Sequence, residues 1–254
     1  MLGIEELKER IEITETTVEC PVRGCSKKVQ RQRKVFKRDE RFKCPRHNIY
    51  ISPSTFEYQR EVDNLLWSDD ADLKLFEKIK IVKRENRIAR DNSEDAVTWN
   101  IFRFLENNHL IDEVLRQFAG IAVQEPEVMY WSYARSQNQS WDMLKNARTE
   151  FEIVPAKGSE PDVMVVGKDA LMLIESKLTA SNKTHPSNAN VENKYLTGGH
   201  GWWSQVFSSD FRTVAMGEEK YELSRFWLLG TWIAEQRGLN FYLINLVLAE
   251  REQD

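Results

Sequence analysis

Apolar positions recur at helical spacing in several stretches of the chain and at strand spacing in others. Ile4, Leu7 and Ile11 predict a short amphipathic helix at the start. Leu73, Phe76 and Ile79 predict a second helix, with Asp69 or Asp70 as its start signal and a basic end (Lys78, Lys80, Lys83, Arg84, Arg87, Arg90). A stronger helix signal opens at Asn92 or Ser93, either of which can cap. Glu94 and Asp95 sit in its first turn, where the helix dipole favours negative charge, and Val97, Ile101, Phe102 and Leu105 mark the expected buried stripe. Ile111–Ala119 predicts another helix, stopped by Gly120. β-rich runs follow at Val128–Tyr133 and Phe151–Val154, with clearer strands at Asp162–Val166 and Leu171–Lys177. Thr179–Gly201, rich in Ser, Asn, Gly and His, reads as a mobile loop. A helix over Tyr221–Gln236, ended by Gly238, leads into the apolar run Phe241–Ala249, expected to be a buried strand.

Composition changes the picture little: 254 residues with 41% hydrophobic and 30% charged side chains are ordinary for a globular chain. The longest apolar run, Phe226–Ala234, falls short of the roughly 20 residues of a membrane helix, and no secretory leader is evident. Three cysteines are an odd number for a disulfide framework, so reduced thiols and a cytoplasmic location are expected. Charge is more informative once mapped. Between Cys20 and His47, eleven Lys or Arg face only Asp39 and Glu40, a net +9 in a chain whose total is −4. One segment is therefore suited to a polyanion, read as nucleic acid, with Lys27, Lys28, Arg31, Arg33 and Lys34 as the candidate phosphate contacts.

All three cysteines lie in that basic segment, as C-x4-C-x18-C-x2-H: Cys20, Cys25, Cys44 and His47. Zinc takes four tetrahedral S and N ligands, and two short turns can each present a pair. Pro21 and Pro45 follow the first ligand of each pair, and Gly24 relaxes the first turn. A charged fragment of this size is not expected to build an apolar core, so metal would supply its folding free energy. The pattern resembles a zinc-ribbon or treble-clef finger.

The second constellation lies in EPDVMVVGKDALMLIESKL. If Gly167 opposes Ala170 around a two-residue turn, the same antiparallel register sets Asp162 opposite Glu175. Opposed Cβ atoms lie roughly 5 Å apart, and Lys177, two residues on, shares their face. Converging carboxylates repel unless a cation lies between them. Mg²⁺, or Mn²⁺, takes such hard oxygen ligands and retains water. Pro161–Asp162 followed by Glu175–Ser176–Lys177 resembles the motif of the PD-(D/E)xK, restriction-endonuclease-like, nuclease superfamily. That resemblance implies an α/β fold with an α-β-β-β-α-β core, a mixed sheet flanked by helices, and a metal-dependent phosphodiesterase; with the basic segment it is read as a deoxyribonuclease, with endo- or exonuclease mode left open. It implies metal ligands at Asp162 and Glu175, a catalytic Lys177, and a further carboxylate ligand at Glu94 on the preceding helix. It is also compatible with a homodimer or a larger nucleoprotein assembly. The triplet alone is common here, since acidic-x-Lys begins at Glu6, Asp72, Glu175, Glu192 and Glu218; context singles out the third.

The expected division is a basic zinc finger over residues 1–55, a helical connector over 56–91 and a nuclease-like domain over 92–254. Gln205, Tyr221 and Arg225 are lesser candidates for the site, while Trp202 and Trp203 read as core. The alternatives are a non-catalytic nucleic-acid-binding or assembly protein on the same scaffold, and the same chemistry on RNA. DNA specificity, strand requirement and pathway are not legible.

Overall fold

A computed structural model describes residues 6–9, 12–83, 87–177, 180–187 and 191–249. The expected opening helix falls largely outside these residues; Leu7 forms a single bridge with Val22. The chain forms two compact units, Met1–Leu73 with Asn86–Asn100, and Lys74–Glu85 with Ile101–Asp254.

In the first unit β1 (Thr17–Glu19) pairs antiparallel with β2 (Lys28–Gln30), and β3 (Tyr50–Ile51) with β4 (Phe56–Glu57). Short 3-10 turns cover Glu40–Phe42 and Glu61–Asn64. The expectation that this segment lacks an apolar core is corrected. Val18, Val29, Ile49, Ile51 and Phe56 are buried in one cluster with Cys20, Cys25 and Cys44. The core and the cysteines are thus one structure.

α1 (Asp70–Val82) begins where the sequence expects: Asp69 Oδ1 accepts from the N–H groups of Ala71 and Asp72, both at 2.9 Å. α2 (Glu94–Asn107) is capped by Ser93, whose Oγ accepts from Ala96 N–H at 3.1 Å. Its buried side differs from the expected stripe. Ala96, Trp99 and Phe102 are buried and Ile101 is 40% exposed, because the large indole of Trp99 takes the inward position and turns the helix about it. α3 (Ile111–Ala119) ends at Gly120 in the left-handed conformation, φ 69°.

The second unit is built on a six-stranded mixed sheet. Its strands are β5 (Glu127–Tyr130), β6 (Tyr133–Ala134), β7 (Gln139–Ser140), β8 (Val163–Val166), β9 (Ala170–Lys177) and β10 (Asn240–Val247). Their order is β10-β9-β8-β5-β6-β7, with only β9 and β10 parallel. Between β7 and β8 lies α4 (Asp142–Phe151), which the sequence reading missed; Phe151 ends this helix and does not start a strand. Leu144, Ala147 and Phe151 form its inner face, all fully buried.

Much of the expected loop Thr179–Gly201 is helical: α5 (Val191–Gly201) is broken at Gly198–His200, where positive φ at Gly199 and His200 turns the chain into α6 (Trp203–Val206). A π-helical turn, Arg212–Gly217, precedes α7 (Tyr221–Arg237), which Gly238 ends. Helices α4, α5 and α7 share one apolar cluster with Leu171 and Leu173 of the sheet. Gly230 permits close approach there, since a Cβ would lie 2.1 Å from the Phe241 ring. β10 is half-buried along most of its length and not buried as expected, because it forms an edge of the sheet. Among the described residues no helix is long and apolar enough to cross a membrane.

Candidate functional site

The β8–β9 hairpin fixes the geometry of the carboxylate site. Gly167 N–H donates to Ala170 O at 2.9 Å, and Val163 opposes Ile174 in the register the sequence predicts. One step further, Asp162 faces Glu175. Trp131 N–H holds the Asp162 carbonyl at 3.1 Å, and Asp162 Oδ2 accepts from Ser176 N–H at 2.8 Å. The carboxylate of Asp162 is thereby tied across the hairpin to the residue between Glu175 and Lys177.

Glu175 is 5% exposed. Lys177 Nζ donates to its Oε1 at 2.6 Å, while its Oε2 is buried without a hydrogen-bond partner among the described residues. Burial, with Asp162 and Glu222 adding repulsion, pushes the Glu175 carboxyl well above the usual carboxylate range. Burial alone would depress the ammonium of Lys177, but Glu175 and Glu222 outweigh it and hold it above its ordinary value. Glu222, on the first turn of α7, was not singled out from the sequence; its Oε2 lies 2.8 Å from Lys177 Nζ. Its signal was weak because only the folding of α7 back against β9 brings it near. Thr184 seats that turn, with Oγ1 accepting from Glu222 N–H at 2.8 Å.

A buried polar chain supports the approach to Asp162. Arg148 donates to Ser159 O through Nε at 2.8 Å, and Glu152 accepts from Ser159 N–H and Oγ–H at 2.7 and 2.6 Å. Gly158 makes room for Glu152, as a Cβ there would meet its Oε2 at 2.0 Å. Arg225 Nη2 donates to Glu152 Oε1 at 3.0 Å and places its guanidinium 5.0 Å from the Tyr221 ring centroid, so this pair is bound into the support of the site.

Glu94 opens α2, half-buried, in the first unit. Gln205 is exposed on α6, whereas Trp203 is core, stacked on Phe207 at 4.0 Å, and Trp202 donates to Thr231.

In the first unit the four zinc candidates converge, their ligand atoms all within 4.8 Å of one another. Cys20 and Cys25 lie on the turn joining β1 to β2, closed by Cys20 N–H to Lys27 O at 2.8 Å; Gly24 there has φ 74°. Cys44 and His47 lie on the turn before β3, closed by Cys44 N–H to Ile49 O at 2.8 Å. His47 Nδ1 lies 3.3 Å from Cys20 Sγ and 3.8 Å from Cys44 Sγ. Tetrahedral zinc with S and N ligands at about 2.3 and 2.0 Å separates them by about 3.5 Å, so the donor set fits a structural zinc. Burial, aided by Cys44, pushes the Cys20 thiol up to about 12. The Cys25 thiol is lowered: burial opposes this, but hydrogen bonds from Lys27 N–H, Cys20 and Cys44 prevail. The cysteines form no disulfide.

Of the basic residues, Lys27, Lys28, Arg33 and Lys34 are exposed. Arg31 is half-buried and spent on the fold, donating to Pro53 O at 3.0 Å and Thr14 O at 2.5 Å.

Compared with protein-family models, curated proteins and solved structures, the chain matches none. The resemblance to the PD-(D/E)xK superfamily therefore rests on the residues themselves.

Proposed function

We propose that the chain is a metal-dependent nuclease that hydrolyses DNA phosphodiester bonds at Asp162, Glu175 and Lys177, with a zinc-bound basic finger that grips the backbone. The observation that carries this reading is the buried, unpartnered Oε2 of Glu175 in a cluster of three carboxylates and one ammonium. A buried carboxyl oxygen left without a partner is open to a cation that would displace its proton, and the donors are hard oxygens of the kind Mg²⁺ or Mn²⁺ takes. Asp162 and Glu175 would hold the ion. A bound divalent ion supplies Lewis-acid polarisation of the phosphoryl oxygen and a water of lowered pKa.

The chain's own part follows from the contacts. Ser176 N–H orients the Asp162 carboxylate. Lys177, kept protonated by Glu175 and Glu222, presents a cation where negative charge grows on phosphorus in the transition state. The exposed Lys27, Lys28, Arg33 and Lys34 supply affinity that falls with salt.

The test is incubation of full-length protein with plasmid, linear duplex, single-stranded DNA and RNA, in Mg²⁺, Mn²⁺ or EDTA. Cation-dependent cleavage of DNA, absent in Asp162→Ala and Glu175→Ala, is the expected result. Absence of cleavage on every substrate, or wild-type cleavage by Asp162→Ala, overturns the reading.

A further inference from the structure

Beside Lys177 the second unit holds a cavity of about 460 Å³, lined among others by Ile153, Val154, Thr184, Tyr221, Glu222 and Arg225. Glu222 joins it to the carboxylate site, because the side chain that lines the cavity also holds Lys177 at 2.8 Å.

The wall is chemically mixed. Ile153 and Val154, consecutive residues after α4, are each 51% exposed and give it an apolar side. The hydroxyls of Tyr195 and Tyr221 lie 3.2 Å apart; one proton serves that bond and the other hydroxyl proton remains to be given. Arg225 Nε–H is buried without a partner among the described residues. Glu222 leaves its second oxygen free as an acceptor among the described residues.

Charge decides the class of occupant. Arg225 is matched by Glu152 and His185 by Glu219, so among the described residues the cavity wall, of which Lys177 is not a part, has no surplus of positive charge for a phosphate. An occupant with apolar faces, and with donors and acceptors on its edge, suits both the walls and the volume. A nucleobase has that chemistry.

We propose that this cavity receives one unstacked nucleobase next to the phosphate held at Lys177, and that single-stranded DNA or a frayed end is therefore the preferred substrate. The inference rests on the nuclease reading and adds the strand requirement to it. A base inside a duplex is stacked and paired, and drawing it out costs a few kcal/mol that a single strand does not incur.

Two measurements test it and separate its failure from that of the nuclease reading. In EDTA, single strands carrying one 2-aminopurine, walked along the sequence, are titrated with wild type and with Val154→Asp, whose exposed position leaves the fold intact, as near-UV circular dichroism checks. In Mg²⁺, cleavage of single strands with one abasic site walked past the cut is compared with cleavage of internal duplex. The expected results are a fluorescence change confined to one position, about tenfold weaker single-strand binding by Val154→Asp with duplex binding unchanged, and about tenfold lower kcat/KM when the abasic site falls at that position. Cleavage that ignores the abasic site and treats internal duplex and single strand alike overturns the cavity proposal and leaves the nuclease. A position-specific fluorescence change in a protein that cuts nothing keeps the base site and removes the nuclease.

Discussion

The Cys20–Cys25–Cys44–His47 cluster and the Asp162–Glu175–Lys177–Glu222 cluster both gather ligand-bearing side chains, yet differ in how far the chain itself completes them. The first has four donors turned toward one another and no side-chain cation among them. Its turns are closed by backbone hydrogen bonds and its cysteines are part of the apolar core, so a missing ion is felt by the whole finger. The second contains its own ammonium, shared by two carboxylates, and is bounded by strands and a helix that fold for their own reasons. It keeps one buried oxygen unsatisfied. On the proposed reading, a metal would close the first cluster for stability, while the second, whose framework stands alone around an unsatisfied atom, would serve chemistry.

The sharpest way to break this contrast is to remove each metal. Elemental analysis of protein purified without added metal should find about one zinc per chain. Cys44→Ser should lose it, together with ordered structure in the finger, since structural zinc contributes on the order of 10 kcal/mol of folding free energy. Near-UV circular dichroism and limited proteolysis report that loss. A zinc-free wild type with an ordered finger would show that the small apolar core suffices.

The carboxylate site should respond in activity and not in fold. Asp162→Ala and Glu175→Ala should abolish cation-dependent cleavage. Lys177→Ala should retain cation binding and lose about 10²–10³-fold in kcat, the scale of removing one group that stabilises transition-state charge.

The uneven legibility of the chain has the same origin as the contrast. Local rules narrowed the caps to Asp69 or Asp70 and to Asn92 or Ser93, of which the structure uses Asp69 and Ser93, and gave the stop at Gly120 and the hairpin register, because each is decided by neighbours in sequence. That register carried Asp162, Glu175 and Lys177 with it. Tertiary decisions were less visible. Ile101 gave way to Trp99 at the buried face of α2, and Phe151, apolar beside Ile153 and Val154, read as strand although Leu144 and Ala147 make it the end of a helical stripe. Glu222 reaches Lys177 only across the fold, so no local pattern announced it.

The basic finger offers a smaller effect. Replacing Lys27, Lys28, Arg33 and Lys34 together should weaken duplex binding and flatten the log–log salt dependence by roughly 0.9 for each phosphate the finger no longer neutralises. Arg31→Ala should behave differently, lowering the melting temperature more than the slope, because its guanidinium serves Pro53 O and Thr14 O. Equal slopes for the fourfold variant and wild type would separate the basic window from nucleic acid.

The smallest expected effect probes the cluster without its metal. Since burial raises the folded-state pKa of Glu175 above its unfolded value, folding takes up a proton between the two, and stability contributed there falls as pH rises through that window. At neutral pH in EDTA the wild type therefore carries the cost of a buried carboxylate beside Asp162 and Glu222. Glu175→Gln removes that titrating group while Glu222 still holds Lys177, so the variant should melt higher than wild type. The difference should shrink on acidification, as the wild-type carboxyl becomes neutral in both states. Added Mn²⁺ should reverse the order, raising the melting temperature of wild type alone. A variant that melts lower than wild type at every pH, with or without Mn²⁺, would mean that the bond to Lys177 outweighs the burial of Glu175, making this cluster a closed ion pair like any other in the fold.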